Sequence, residues 1–167
     1  MYTYEDNIPS VCTWVNTDFS NFVVAFGNSH INMYETSSNK PHSMRPTPIS
    51  PCNTLVTSPT NPLLITGHED NHIRFYDLQS CVCIKDMVGH TDSISSLSID
   101  SSGNHLFSGG HDGSLRAWDV RKFQCLYEIP AHRKKHDESV NVVMRHPTLP
   151  LLASGGADAL IKIFNTN

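Results

Sequence analysis

Charge is scarce in this chain. Twelve Lys and Arg against 16 Asp and Glu amount to 17% of its 167 residues and leave a net charge of −4, below the ~25% charged residues of an average protein. No basic excess draws the whole chain to nucleic acid or to an anionic membrane. Long apolar runs are missing as well, since stretches such as Leu63-Leu64-Ile65 are far too short to span a bilayer. The opening Met1-Tyr2-Thr3-Tyr4-Glu5-Asp6 has neither the basic start nor the apolar stretch of a secretory leader. Cysteines number only five, an odd count without framework spacing. That suits a reducing compartment and predicts a cytoplasmic protein rather than a disulfide scaffold. Small polar residues fill the space instead: 19 Ser, 12 Thr and 13 Asn. They favour strands and turns over helices. The length predicts one domain, residues 1–167, with a core of its own.

Three stretches align by inspection: Leu64–Asp77, Leu106–Asp119 and Leu152–Asn165, with a degraded fourth at Val24–Glu35. Their anchoring aromatics, Tyr34, Tyr76, Trp118 and Phe164, are spaced by 42, 42 and 46 residues. The longer spacing has a local cause. His90 precedes Ser93 by three residues but His132 precedes Ser139 by seven, so the segment Arg133-Lys134-Lys135-His136-Asp137-Glu138 holds the insertion. Confinement of extra residues to one loop is what a repeat array predicts. Inside each unit the period is two, with Ile73 and Phe75 alternating with Arg74 and Tyr76. This suits a strand covered on both sides, one face aliphatic and the other aromatic with a long basic stem. The third unit reads as strands near 93–99, 105–109, 114–119 and 124–129, with Asp112-Gly113 in the tight turn between the second and third.

A ~42-residue period that opens on Gly89-His90 and ends on Trp118-Asp119 resembles the WD40 repeat of β-propellers. The expected fold is all-β: a WD40-type β-propeller of about four blades, near 8–50, 51–90, 91–132 and 133–167, forming a partial or open propeller that is the C-terminal part of a larger ring. From about Asp6 onward the chain also resembles the last four blades of the striatin family. The segments that carry this are Gly67–Phe75, Ser108–Trp118, Ala131–His136 and Ala153–Leu160. Upstream coiled-coil and calmodulin- and caveolin-binding segments known in striatins are not in this sequence. The resemblance implies a non-catalytic protein-interaction scaffold in an assembly with protein phosphatase 2A subunits, Ste20-like kinases and their adaptors.

His90, Ser108 and Asp112 invite a hydrolase or regulatory-enzyme reading. The resemblance implies instead a structural tetrad of His90, Ser108, Asp112 and Trp118, buried so that every polar group is paired. The last unit keeps His132, Ser154 and Asp158 but ends on Phe164, and the second has Thr66, Asp70 and Tyr76. No nucleophile elbow is present. Cys81-Val82-Cys83 and His132-x₃-His136 lack the paired spacing of zinc sites, and Gly109-Gly110-x-x-Gly113 lacks the helix of a phosphate loop. No cofactor and no metal is expected. Arg133, Lys134, Lys135 and His136 are the candidate partner-binding residues, in a loop on the face where WD40 domains dock partners. Without interleaved aromatics they do not suggest nucleic acid. Four blades are too few to close a ring, so open faces are expected beside Met33 and Tyr34 and beside Ile161 and Ile163. These edge blades would be completed by another chain or by upstream blades, or the last blade by Tyr2–Ile8 as its outer strand. A degenerate fragment without independent function is the remaining alternative.

Overall fold

The computed structural model describes residues 8–38, 41–44 and 50–166. The proposed outer strand Tyr2–Ile8 lies outside them except for Ile8. Among the described residues all regular structure is strand, arranged in four antiparallel sheets. Sheet one holds β1 (Pro9–Trp14), β2 (Asn21–Phe26), β3 (Ile31–Glu35) and β4 (His42–Met44). Sheet two holds β5 (Cys52–Thr57), β6 (Leu63–His68), β7 (His72–Asp77) and β8 (Val82–Val88). Sheet three is β9 (Ile94–Ile99), β10 (His105–Gly110), β11 (Ser114–Asp119) and β12 (Gln124–Pro130), within one residue of the strands read from the sequence. Sheet four has three strands, β13 (Val140–Arg145), β14 (Leu151–Gly156) and β15 (Ile161–Asn165). This is an all-β propeller segment.

The hairpin between the second and third strand of every sheet turns through one residue of positive φ: Ser29 (70°), Asn71 (62°), Gly113 (88°) and Ala159 (64°). Glycine occupies only one of the four, so the turn must be held by other means. In each case the preceding Asn or Asp accepts the amide N–H two residues on, at 3.3 Å for Asn28, 3.4 Å for Asp70, 3.0 Å for Asp112 and 3.1 Å for Asp158. This Asx turn offsets the left-handed conformation of the non-glycine residues.

Period-two alternation decides how the sheets stack. Ile31 and Met33 of sheet one pack with Leu55, Leu64 and Tyr76 of sheet two. Ile65, Ile73 and Phe75 on the other face of sheet two meet Leu97, Leu106 and Trp118 of sheet three. Phe107 and Leu115 then meet Val143, Leu152 and Phe164 of sheet four. An aliphatic face thus docks three times on the aromatic-anchored face of the next sheet. Gly109 makes one approach possible, because a Cβ there would lie 2.5 Å from Val140.

The outermost face of sheet four has no such neighbour among the described residues. Ile161 and Ile163 are 82% and 69% exposed, with Val142 and Met144 beside them on the same face. The first sheet differs from the sequence expectation. Met33 faces sheet two, and Tyr34 is buried, stacked on Phe22 with centroids 5.3 Å apart. Exposure there falls on Trp14 instead, the outer member of that aromatic ladder. The reason is register: Trp14, Phe22 and Tyr34 lie opposite one another on three strands and cover each other. Replacing Ile161 and Ile163 together by Thr is expected to lower concentration-dependent light scattering while preserving the far-UV spectrum, since it breaks an exposed apolar patch. Unchanged scattering would mean that this face is not where the chain self-associates.

Candidate functional site

In sheet three the residues singled out by sequence form one directional chain. Trp118 Nε1–H donates to Ser108 Oγ at 2.9 Å, and Ser108 Oγ–H donates to His90 Nε2 at 2.7 Å. His90 Nδ1–H donates to Asp112 at 3.0 and 3.1 Å. A carboxylate can only accept, which fixes the imidazole tautomer and hence the direction of the hydroxyl. Asp112 also accepts the Thr91 amide at 3.0 Å, and the Ser114 amide and hydroxyl at 3.0 and 2.8 Å. Burial alone would raise its pKa, but the His90 hydrogen bond and these amides outweigh burial and hold the carboxyl far below its ordinary range. His90 and Ser108 are wholly buried. A nucleophile enclosed in this way, with its hydroxyl proton committed to His90 and an indole N–H on its oxygen, has no path to a substrate.

Sheet four repeats the arrangement one partner short. His132 Nδ1–H donates to Asp158 at 2.8 Å, and Ser154 donates to His132 Nε2 at 2.7 Å, while Phe164 supplies no donor. Burial opposes ionisation of Asp158, yet the bonds from His132 and from the Arg133 and Leu160 amides bring its pKa down to about 2. Gly156 is required here, because a Cβ would sit 2.4 Å from the His132 ring.

Sheet two solves the same problem with Thr66, Asp70 and Arg74, which the sequence reading named, joined by His68, Ser50 and Asp86, to which it gave no such role. The histidine comes from its own second strand: Thr66 donates to His68 Nε2 at 2.8 Å, and His68 Nδ1–H donates to the Ser50 carbonyl at 3.1 Å. Burial and the neighbouring Arg74 both lower the His68 pKa. Asp70 is freed to bind Arg74, whose wholly buried guanidinium reaches both Asp70 oxygens at 3.2 and 2.6 Å and Asp86 at 3.1 Å. The alternation placed Arg74 on the aromatic face. Its double ion pair was legible only once β8 was known to lie beside β7, with Asp86 directly opposite Arg74.

The basic insertion is a second small hairpin rather than an open loop. Lys135 and Glu138 exchange backbone hydrogen bonds of 2.7 and 3.1 Å, and the two residues between them, His136 and Asp137, have φ of 52° and 67°. Two consecutive positive φ values define the primed two-residue turn of a tight hairpin. Its root is held by the Arg133 amide on Asp158 at 3.2 Å. Of the four candidate residues, Lys134 is engaged by Asp92 at 2.8 Å. The side chains of Arg133, Lys135 and His136 carry no ion pair among the described residues. The hairpin stands over an open polar cavity of about 550 Å³ whose lining includes Glu138, Glu69 and His111. His111 Nδ1 accepts the Ser139 amide at 3.2 Å. Among the described residues no three His, Cys, Asp or Glu side chains are placed to hold a metal ion, and no helix is long and apolar enough to cross a membrane.

These sheets, turns and hydrogen-bonded histidines are those of a WD-repeat protein, and the family model for the WD domain, G-beta repeat, matches residues 44–77, 81–119 and 123–165. The chain belongs to this family. Within it the sequence is that of a striatin-family WD40 region. It is 37% identical to striatin of Homo sapiens over 97% of this chain and 22% of that protein. Striatin-3 of Rattus norvegicus and striatin-4 of Mus musculus are each 37% identical over 96% of the chain and 21% and 22% of their own lengths. The chain thus spans about a fifth of the curated relatives it matches. Among solved structures, that titled "Structure of U3-55K" superposes with a TM-score of 0.83 at 17% identity, covering 98% of this chain and 53% of that one. At that identity the likeness shows the fold alone. The WD repeats and the kinship with striatins support a role in protein interaction.

Proposed function

We propose that the chain serves a cytoplasmic, non-catalytic scaffold of striatin type, which brings protein phosphatase 2A subunits together with Ste20-like kinases and their adaptors. The basic hairpin is its contact surface in this part of the molecule, and the His–Ser–Asp sets are structural supports for the loops that carry it. The observation behind this reading is the hairpin itself: Arg133 and Lys135, which carry no ion pair among the described residues, flank Lys134 on a tight hairpin anchored at its root to Asp158. Recognition residues concentrate on loops of this kind.

Reversing the charge of Arg133, Lys134 and Lys135 together is expected to slow association with a purified partner, most strongly at low salt, and to leave the dissociation rate nearly unchanged. Because the substitutions fall on an exposed hairpin, the thermal midpoint should stay within ~2 °C of the parent. Surface plasmon resonance across an ionic-strength series provides the readout. Unaltered kinetics at low salt would leave the hairpin as a solvated turn. Affinity purification that recovers neither phosphatase nor kinase subunits from a well-expressed bait would overturn the choice of partners.

A further inference from the structure

The first strands of sheets two, three and four each carry a bulge one residue in from their start. The pairing register skips Asn53 in β5, Ser95 in β9 and Asn141 in β13. A bulge re-aims the extra side chain out of the alternation of its strand, and all three of these side chains line the polar cavity of about 550 Å³ at the basic hairpin. Glu69 and His111 join them from equivalent places. Each is the first residue of the turn between the second and third strands, and its amide is fixed on the carbonyl that precedes the first strand, Pro51 at 3.1 Å and Ser93 at 2.9 Å. Glu138 adds a wall from the hairpin. The repeat thus aims side chains from three successive sheets at one cavity, whose volume falls in the ~300–1,000 Å³ range of ligand clefts.

What this lining leaves open is mostly acceptor. Asn53 engages its amide nitrogen on the Ile94 carbonyl at 3.0 Å, which leaves Oδ1 free to accept. The Ser95 hydroxyl proton is committed to the Gly109 and Val140 carbonyls, so its oxygen can only accept further. Glu69 and Glu138 are exposed and carry no side-chain hydrogen bond or ion pair among the described residues, whereas nearby Asp92 is taken by Lys134. His111 is the exception. The Ser139 amide on its Nδ1 can only donate, so the neutral ring carries its proton on Nε2, a donor without a partner among the described residues. Such a wall selects a ligand with many donors and one acceptor. A guanidinium offers five N–H donors and no acceptor, and a carboxylate takes two of them in parallel. A main-chain carbonyl supplies the acceptor that His111 needs.

We propose that this cavity holds an arginine of an extended partner segment, with its guanidinium between Glu69 and Glu138 and a neighbouring main-chain carbonyl on His111 Nε2–H. Glu138 belongs to the basic hairpin as well, so the inference rests on the reading of that hairpin as a contact surface and deepens it: the partner that docks there presents an arginine beside it. Arg133, Lys134 and Lys135 take no part in holding the arginine, which lets the two readings fail separately.

The probe is acetyl-Gly-Ser-Arg-Ser-Gly-amide, titrated into the isotope-labelled full chain and followed by amide chemical shifts. The same peptide with Lys or citrulline for its Arg, and free arginine, are the comparisons. Saturable shifts are expected at the Glu69, His111, Glu138 and Asn141 amides. Citrulline, which keeps the shape but not the charge, should bind about tenfold more weakly, the scale of a lost charge-assisted hydrogen bond. Glu69→Gln combined with Glu138→Gln should bring the arginine and citrulline peptides level. Both positions are exposed, and the peptide comparison needs no protein variant, so the test survives a poorly folding one. The chain with Arg133, Lys134 and Lys135 reversed in charge should bind the arginine peptide at least as tightly as the parent, whatever becomes of its partner association. Absence of saturation, equal binding of the arginine and citrulline peptides, a lysine peptide or free arginine as tight as the arginine peptide, or shifts confined to other sheets would each overturn the proposal.

Discussion

Arg74→Ala is expected to destabilise the domain by about 3 kcal/mol, the cost of breaking a buried ion pair from one side. The guanidinium is wholly buried, while Asp70 and Asp86 retain 30% and 29% side-chain exposure. Both carboxylates can therefore regain some water, which keeps the loss toward the lower end of that range. Arg74→Met should recover roughly half of the deficit, because its stem restores packing beside Tyr76 without restoring the charge. The deficit is also pH-dependent. Burial pulls the Asp70 pKa up, but the Arg74 hydrogen bonds and charge prevail and hold it below the usual carboxylate range. A depressed folded pKa contributes stability that is present above the unfolded value of ~3.9 and is lost as pH falls through the folded one. Urea titrations of parent and variant should therefore converge as pH drops below about 4. A loss under ~1 kcal/mol at neutral pH would show that the two carboxylates rehydrate freely and that Arg74 acts as an ordinary surface cation.

Asp112→Ala should cost about 2–3 kcal/mol without altering any binding surface. The carboxylate accepts from His90, Thr91 and Ser114 at once, and its removal strands donors that are buried with it. Asp112→Asn separates charge from geometry. It keeps an acceptor for the Ser114 amide but presents an N–H to the His90–Thr91 side, so it should recover only part of the loss. Below pH ~4 the stability of the parent should fall more steeply than that of either variant, because the depressed carboxyl titrates only in the parent. Coincident acid unfolding curves for all three would remove the charge of Asp112 from the balance. An unchanged thermal melt for Asp112→Ala would remove the network itself.

Much of this could be read along the chain because the relevant signals are local. The alternation in Ile73–Tyr76 and the Asp112-Gly113 turn depend on residues within one strand or hairpin, the 42-residue period shows in plain spacing, and sheet three runs almost where they place it. The set His90, Ser108, Asp112 and Trp118 was legible only through the family resemblance, since its hydrogen-bonded members lie 10, 18 and 22 residues apart. The aromatic ladder Trp14–Phe22–Tyr34 was not: it depends on which residues face one another across three strands. Asp92 is a comparable case. It lies 42 residues from Lys134 and meets it only because successive sheets bring equivalent loops side by side.

The sequence by itself determined the repeat, the strands of the third unit and the two faces of the alternating third strands, since spacing, alternation and turn chemistry are read along the chain. Only the tertiary structure decided how those strands share their polar groups. His68 replaces a loop histidine because its own strand carries it to Thr66 and the Ser50 carbonyl. That leaves Asp70 to Arg74, and Arg74 to Asp86 across the sheet. The Thr66–His68 and Asp70–Arg74 contacts are local, but those of His68 with the Ser50 carbonyl and of Arg74 with Asp86 span 18 and 12 residues and follow from the register and placement of separate strands and loops.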